Sequence, residues 1–273
     1  YYSSSQIRGN IYSLENILNI LDTRSLEKKR LISNQENFNI INSIEFKNIS
    51  FSYKNSDIQA LSDISLKLKR GSIVGITGHS GAGKSTFLDI LMGLHEQSFG
   101  EILINNNQID LYHNDYWFSK ISYAPPSISL FKGDLEQNIS FNARNSSINE
   151  AFKVVNLDFL NSDDDLKKFF SQDDFSEGQL QRIGLARAIA KLNSQLVILD
   201  EPTSALDNIN KKFLINKLKQ YKENRLVILV THDLDLLRHV DKIIIFSEGK
   251  IEEFMDFDSA ISQSEEFKRL QDA

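Results

Sequence analysis

The segment from Gly78 to Thr86 constrains the fold and chemistry of this chain more than any other stretch. It reads GHSGAGKST and fits the pattern G-x-x-x-x-G-K-[ST]. An apolar run, Ile73–Thr77, precedes it, and a helical pattern follows it through Leu94. Glycines in such a turn let backbone N–H groups point inward at an anion, and the N-terminus of the next helix adds positive potential. The segment therefore predicts a phosphate-binding loop between a strand and a helix.

Two side chains of this loop have distinct expected roles. Lys84 is predicted to reach the β- and γ-phosphates of a nucleotide, and the Ser85 hydroxyl is predicted to ligate Mg²⁺. The residues expected to cradle the phosphates are Gly78, His79, Ser80, Gly81, Ala82, Gly83, Lys84, Ser85 and Thr86.

Two acidic residues follow a second apolar run. Leu196–Leu199 suits a buried strand and leads into Asp200 and Glu201. Ligands of open parallel sheets bind at the carboxyl ends of the strands, so Asp200 is expected beside the phosphate loop, holding Mg²⁺ through water. Glu201 is expected to polarise a water for in-line attack on the γ-phosphate. A further run, Leu226–Val230, ends in Thr-His-Asp, which predicts that His232 contacts the γ-phosphate at the same sheet edge.

The spacing of apolar residues predicts the α/β class. Residues 44–53 alternate with period two, with a register change near Lys47-Asn48, and Ile64–Leu68 alternates in the same way. The continuous runs described above suit parallel strands covered on both faces. Strands of that kind between helices imply a parallel α/β sheet. A polar stretch at about 134–168 is interpreted as a helical insertion.

Composition excludes several classes of function. The chain has 273 residues, 41% of them hydrophobic, which suits a soluble globular protein with a sizeable core. It has no cysteine, which rules out disulfides, thiolate metal sites and cysteine nucleophiles. No apolar run reaches the roughly 18–20 residues of a membrane-spanning helix. The net charge of −6 argues against bulk nucleic-acid binding.

The first forty residues have a pattern of their own. Apolar residues recur there at spacings of four and three, as on one helix face, and a polar stretch to about Asn42 resembles a linker. The pattern leaves two interpretations open: a helix packed on its own domain, or the tail of a helix from an upstream domain. The chain begins with Tyr1 and shows no signal-peptide pattern, so we expect it to be part of a longer protein.

A fourth segment, Ser176-Glu177-Gly178-Gln179 followed by Gln181-Arg182, completes a set of motifs. With these residues the chain resembles the nucleotide-binding domain of an ABC transporter, over roughly 44–251. The phosphate loop resembles Walker A, Leu196–Glu201 resembles Walker B, and Phe175–Gln179 resembles the signature motif, usually LSGGQ. Three further likenesses are the D-loop at Ser204-Ala205-Leu206-Asp207, the switch histidine at His232 and the adenine-stacking aromatic residue at Tyr53.

The resemblance implies an architecture and a mechanism. The fold would be a P-loop ATPase core with a mixed or parallel sheet, an antiparallel β subdomain and an inserted α-helical subdomain at about 127–184. The ATPase domain would occupy 41–273, after an N-terminal helix and linker in 1–40 from a missing transmembrane domain. ATP and Mg²⁺ would be the cofactors, with Ser85 and Asp200 serving the metal and Glu201, His232 and Lys84 serving catalysis. Two such domains would associate head to tail, and Ser176, Gly178 and Gln179 would then contact nucleotide held mainly by the partner.

An exporter fits the resemblance better than an importer. Ser129–Gly133 followed by Asn138-Ile139 is similar to the exporter run LFxGTIxxNI, and Ile7–Asp22 resembles the cytosolic end of an exporter's last membrane helix. The implied protein is a transport motor on the cytoplasmic side of a membrane, attached to a transmembrane domain of the same polypeptide. A homodimer is favoured over a heterodimer. The alternatives are a degenerate ATP-binding half of a heterodimeric transporter with slow hydrolysis, and a stand-alone or importer ATPase subunit. The transported substrate stays open.

Three departures from the family pattern bear on turnover and coupling. Pro126 stands where the Q-loop glutamine is expected, and a proline side chain has no polar group to ligate Mg²⁺. Glu177 replaces the first signature glycine, and a carboxylate 4 Å from a partner's phosphate would be repelled by about 4 kcal/mol at an intermediate dielectric. The favoured alternative is that Glu177 points to solvent while Gly178 makes the close approach. The stretch Asp163–Asp174 lacks the usual exporter run TxxGExG.

Overall fold

The computed structural model describes residues 39–54, 56, 58–141, 148, 151, 155, 166–204, 206–265 and 267–268. The helix and linker expected in the first forty residues lie almost wholly outside this part of the chain, as does Ala205 of the D-loop-like segment. The division into domains therefore stays a prediction. Within the described residues, no helix combines the length and the hydrophobicity needed to cross a membrane.

Ten strands and seven α-helices are described. The strands are β1 (Ser43–Ser52), β2 (Gln59–Lys69), β3 (Ile73–Thr77), β4 (Phe99–Ile104), β5 (Asn107–Gln108), β6 (Ile121–Ala124), β7 (Leu196–Asp200), β8 (Leu226–Val230), β9 (Lys242–Ser247) and β10 (Lys250–Met255). The helices are α1 (Lys84–Leu91), α2 (Asp115–Lys120), α3 (Leu135–Ser140), α4 (Glu177–Ala190), α5 (Asn208–Tyr221), α6 (Leu234–Leu237) and α7 (Phe257–Gln263). Single 3-10 turns occupy Gln172–Asp174 and Lys222–Asn224.

The strands form two sheets, which confirms the predicted α/β class with an antiparallel subdomain. One sheet has the order β2-β1-β4-β5, and its pairs are antiparallel. The other has the order β10-β9-β3-β8-β7-β6, parallel except for β10 at one edge. The predicted register change in β1 is confirmed between Phe46 and Ile49, where Asn48 adopts a φ of +54°.

The parallel sheet is buried on both faces because its strands carry apolar side chains in both directions. Leu196 and Ile198 of β7 pack with α1 and the antiparallel sheet. Val197 and Leu199 pack on the opposite face with α4 and α5. This three-layer arrangement explains why β7 and β8 are continuous apolar runs.

The order of the parallel strands sets the place of the site. Ile76 of β3 pairs with Val230 of β8, and Val230 pairs with Asp200 of β7. The carboxyl ends of the three strands therefore meet in one row, and the residues that follow them share one edge of the sheet.

Candidate nucleotide-binding site

The loop after β3 has a backbone that only glycine accommodates at key points. Gly78 has a φ of +140°, and a Cβ placed there would collide with the carbonyl oxygen of Phe246. Gly83 has a φ of +103° and precedes Lys84, the first residue of α1. The left-handed region strains other residues. The sequence folds into this turn because its glycines stand where the chain reverses against β9.

Lys84 lies folded against the loop that precedes it. Its Nζ donates to the carbonyl oxygens of Gly78 and His79, the latter at 2.8 Å. Burial lowers the pKa of Lys84, and the carboxylates of Glu201 and Asp200 oppose that shift. The ammonium group therefore interacts electrostatically with Asp200 at the end of β7 and with Glu201 directly after it.

A cavity of about 560 Å³ opens beside the loop. Its volume falls in the range typical of small-molecule sites. The cavity is lined by Tyr53, Ser56, Ile58, Gln59, Ala60, Ser80, Gly81, Gly83, Lys84, Ser85, Thr86, Glu248 and Gly249. An aromatic ring and the glycine-rich turn thus face one space, an arrangement that suits a nucleotide.

Tyr53 is held at the mouth of this cavity by its neighbours. Its hydroxyl lies 3.0 Å from Oγ1 of Thr86. Its ring meets those of Phe51 and His95 edge to face, with centroid distances of 4.9 and 5.5 Å. Tyr53 remains 41% exposed, so ring surface is available to a ligand.

Asp200 and Glu201 lie in a partly buried, acidic setting. Burial raises the pKa of Asp200, and the negative charge of Glu201 raises it further. Tyr123 of β6 donates its hydroxyl hydrogen to Oδ2 of Asp200 at 3.5 Å. Burial also raises the pKa of Tyr123 to about 12, with Asp200 contributing, so this phenol stays protonated near neutral pH.

The side chain of Glu201 faces the residues that follow β8. Thr231 Oγ1 donates to its Oε2 at 3.3 Å, and His232 Nε2 lies 3.9 Å from its Oε1. Burial raises the pKa of Glu201, while Thr231 and Lys84 act in the opposite direction. Burial lowers the pKa of His232, and the charges of Lys84 and His79 lower it further. The imidazole is therefore favoured in its neutral form.

The segment 176–179 caps the start of α4. The Gln179 N–H donates to Ser176 Oγ at 3.3 Å, and the Ser176 N–H donates to Gln179 Oε1 at 2.8 Å. This capping box fixes the entry to the helix. Glu177 is the first helical residue and is exposed. A carboxylate at this position stabilises the helix by interacting with the positive end of its dipole.

The structure brings together one part of the predicted site and keeps another part apart. Lys84, Asp200, Glu201 and His232 interact at one edge of the parallel sheet. Glu177 and Gly178 instead line a second cavity of about 540 Å³, together with Pro126. The predicted nucleotide contacts therefore fall into two groups, one at the phosphate loop and one at the start of α4.

Sequence reasoning missed several residues that shape the site. Tyr123, Thr231 and Gln181 contact Asp200 or Glu201. The position of Thr231, directly before His232 at a strand end, is a signal that could have found it. No pattern in the sequence indicates the contacts of Tyr123 and Gln181, which arise from the packing of β6 and α4.

Comparison with known proteins finds a family model and longer relatives that match this chain. Residues 61–204 match the family model described as ABC transporter. The chain is 30% identical over 255 residues to a Rickettsia conorii protein that carries the name of an export ATP-binding/permease protein, covering 90% of this chain and 44% of that protein. It is 30% identical over 238 residues to the ATP-dependent lipid A-core flippase of Haemophilus influenzae, covering 83% and 40%. The chain thus spans less than half the length of these relatives.

A solved structure shares the fold. The chain is similar to a bacterial Atm1-family ABC exporter with ATP bound, with a TM-score of 0.77 and 24% sequence identity. The likeness covers 85% of this chain and 42% of the exporter chain.

Proposed function

Because the chain belongs to the ABC transporter family, we propose that it is the ATP-hydrolysing domain of an exporter-type transporter. In this proposal it dimerises head to tail on ATP and thereby drives translocation of a substrate across a membrane. One observation carries the proposal: Lys84, Asp200, Glu201 and His232 interact at the sheet edge beside a cavity that also holds Tyr53.

ATP would bind with its phosphates at the loop and its adenine on Tyr53. The helix N-terminus and the ammonium of Lys84 supply positive potential for the phosphates. The exposed part of the Tyr53 ring offers a stacking surface in the same cavity. Residues His79 and Ser80 complete the turn around the phosphates.

Ser85 and Asp200 would hold Mg²⁺. A hydroxyl and a carboxylate are oxygen donors of the type that Mg²⁺ prefers, and Mg²⁺ keeps part of its water shell. The raised pKa of Asp200 results from burial and from neighbouring Glu201, a setting that a divalent cation would relieve. The metal supplies charge neutralisation of the β- and γ-phosphates when it is bound.

Glu201 would act as the general base toward water. Its carboxylate is oriented by Thr231, and burial raises its pKa, which makes it a better proton acceptor. Neutral His232 can donate one ring N–H to a γ-phosphate oxygen while lying 3.9 Å from Glu201. Lys84 would neutralise charge that develops on the transferred phosphoryl group.

Ser176, Gly178 and Gln179 would serve a nucleotide bound to a second copy. They lie at the N-terminus of α4, a 14-residue helix, and Gly178 lines a cavity separate from that of the phosphate loop. A two-fold dimer would place each α4 N-terminus against the partner's γ-phosphate. The membrane domain is proposed by analogy with the export and flippase names of the longer relatives.

A second candidate is an ATP-binding half that hydrolyses slowly within a heterodimer. Two residues favour this candidate, Pro126 and Glu177, and both line the cavity at the start of α4. Both would weaken a composite site: Pro126 lacks a polar side chain, and Glu177 adds a negative charge.

The test is Mg-ATP binding by calorimetry and phosphate release by the purified chain and its Glu201→Gln variant. The proposal expects both proteins to bind Mg-ATP and the variant to lose at least about 100-fold in turnover, the range of a lost general base. Failure of the wild type to bind Mg-ATP would overturn the proposal. Binding with equal, negligible turnover in both proteins would favour the slow-hydrolysis candidate.

A further inference from the structure

The backbone of Glu201 adopts a conformation that non-glycine residues rarely take. Its φ is +49°, in the left-handed region. Such strain persists where surrounding contacts over-determine the conformation. At Glu201 the N–H donates to the carbonyl oxygen of Val230 at 2.8 Å, which anchors one side of the residue to β8.

The carbonyl oxygen of Glu201 is held by donors from two other residues. Gln181 Nε2 donates to it at 2.8 Å. Ser204 approaches it with Oγ at 3.1 Å and with its N–H at 3.4 Å. The amide of Gln181 also contacts Ser204 Oγ, through Nε2 at 2.5 Å and Oε1 at 2.8 Å. Gln181 thus closes a ring of hydrogen bonds around the turn from Glu201 to Ser204.

Gln181 belongs to the helix that begins with the signature-like segment. It lies in α4, five residues after the helix cap Ser176, and is partly buried. The core contacts of α4 begin at Leu180, directly before Gln181, and extend to Ala190. Gln181 therefore lies where the exposed start of the helix meets its buried part, and a shift at the start of α4 would reach Gln181 through the helix backbone.

We propose that Gln181 is a positioning residue that holds the backbone of Glu201 and couples it to the start of α4. This inference rests on the proposed function, because the partner's nucleotide would contact Ser176, Gly178 and Gln179. Nucleotide bound by one chain would then influence the catalytic carboxylate of the other chain's site. The path runs through the side-chain amide of Gln181, which contacts the Glu201 carbonyl oxygen and Ser204 Oγ.

The test uses Gln181→Met, which keeps the length of the side chain and removes its hydrogen bonds. The matched control is Gln195→Met. Gln195 also bridges backbone groups, accepting from the Ile41 N–H at 2.6 Å and donating to the Asn39 carbonyl oxygen at 2.5 Å. It lies directly before the amino end of β7, whereas Glu201 follows the carboxyl end of the same strand. The same substitution there removes a similar tether without touching Glu201.

The expected result is a kcat reduced about tenfold or more in Gln181→Met, with KM for ATP changed less than about twofold. The Hill coefficient for ATP falls toward one, while Gln195→Met keeps the kcat and cooperativity of the wild type. A purely structural tether would lower Tm alike in both variants and leave cooperativity intact, and that result would overturn the inference.

A second measurement does not depend on turnover. Hydrogen exchange of the Ser204 amide, whose N–H points to the Glu201 carbonyl, should speed up in Gln181→Met and not in Gln195→Met. Unchanged exchange in Gln181→Met would overturn the inference even if the wild type proved inactive. An inactive wild type with the expected exchange difference would count against the proposed hydrolysis and leave the Gln181 contact in place.

Discussion

The hydroxyl of Tyr53 and Oγ1 of Thr86 lie 3.0 Å apart, which joins the aromatic residue of the proposed nucleotide cavity to the first turn of α1. Thr86 itself is buried, while Tyr53 is partly exposed. The ring that would stack on adenine is therefore positioned by the same short segment that forms the phosphate loop. Phe51 and His95 each contact the ring in an edge-to-face arrangement.

This relationship predicts different effects for two substitutions of Tyr53. Tyr53→Phe keeps the ring and loses the contact with Thr86. ATP affinity should therefore change by less than about threefold, because the lost hydrogen bond is a neutral one that contributes about 0.5 kcal/mol. Tyr53→Ala removes the stacking surface and should weaken ATP binding about 5- to 160-fold, since base–aromatic stacking contributes about 1–3 kcal/mol. Calorimetric titration measures both. Equal losses in the two variants would show that the ring does not bind adenine.

Lys84→Ala should weaken Mg-ATP binding about 10- to 160-fold, because hydrogen bonds to charged groups contribute about 1.5–3 kcal/mol. Lys47→Ala is the control: Lys47 is an exposed lysine on β1, outside the lining of the nucleotide cavity. The measurement is again titration with Mg-ATP. Wild-type affinity in Lys84→Ala would contradict the assignment of the phosphate loop.

In the proposed dimer the exposed carboxylate of Glu177 would add negative charge near the partner's phosphates, so Glu177→Gly should raise turnover. The same change should lower the free energy of unfolding by about 1 kcal/mol, because glycine is a poor helix former. Glu136→Gly, in the first turn of α3, carries a similar helix cost without a nucleotide contact. Turnover that stays at or below that of Glu136→Gly would show that Glu177 does not limit hydrolysis.

The hydrogen bonds of the Asp233 carboxylate predict that the stability of the protein depends on pH. Burial alone would raise the pKa of Asp233, but hydrogen bonds from Lys211 Nζ at 2.7 Å and Thr203 Oγ1 at 3.1 Å outweigh it. The backbone N–H of Asp235 adds a further donor, while nearby Glu201 is a like charge. The pKa of Asp233 is thereby held below 3.8, its ordinary value. A lowered pKa stabilises the folded state above that value, and the contribution is lost as pH falls through the folded pKa.

The variant Asp233→Asn should therefore be less stable than the wild type at pH 7, and the difference should shrink below about pH 4. Urea unfolding of both proteins between pH 3 and 7 measures it. Asp241→Asn is a control that removes another ion pair of 2.7 Å, with Lys222, near the amino end of β9. A difference for Asp233→Asn that stays constant with pH would contradict the argument.

The parts of the fold that depend on local sequence were predictable. Gly78 and Gly83 mark the turn of the phosphate loop, and the apolar runs of β7 and β8 mark strands buried on both faces. Strand ends also placed Asp200, Glu201 and His232 at one edge. The prediction could not give strand order, because the row of Ile76, Val230 and Asp200 depends on non-local pairing.

The contacts around Glu201 were not predictable for a similar reason. Gln181 and Glu201 are separated by 20 residues and meet because α4 packs against β6, β7 and the loop that contains Ile128. A Cβ at Gly184 would collide closely with Ile128, so the absence of a side chain there permits this approach. The periodicity of apolar residues identifies the buried face of a helix. The distance between the helix and its neighbours depends instead on contacts between residues distant in sequence, such as Gly184 and Ile128.

The central claim is that two chains complete each other's ATP sites, and mixing two inactive variants tests it most directly. Lys84→Ala disables the phosphate loop and keeps the signature-like segment intact. Gly178→Arg disables the signature-like segment and keeps the phosphate loop intact. Each variant alone should be inactive across protein concentrations. An equal mixture should recover measurable Mg-ATP turnover of up to about a quarter of the wild-type value, because half of randomly paired dimers contain one complete site of two and coupling between the sites can only lower that share. A mixture as inactive as its components, beside an active wild type, would contradict the head-to-tail dimer.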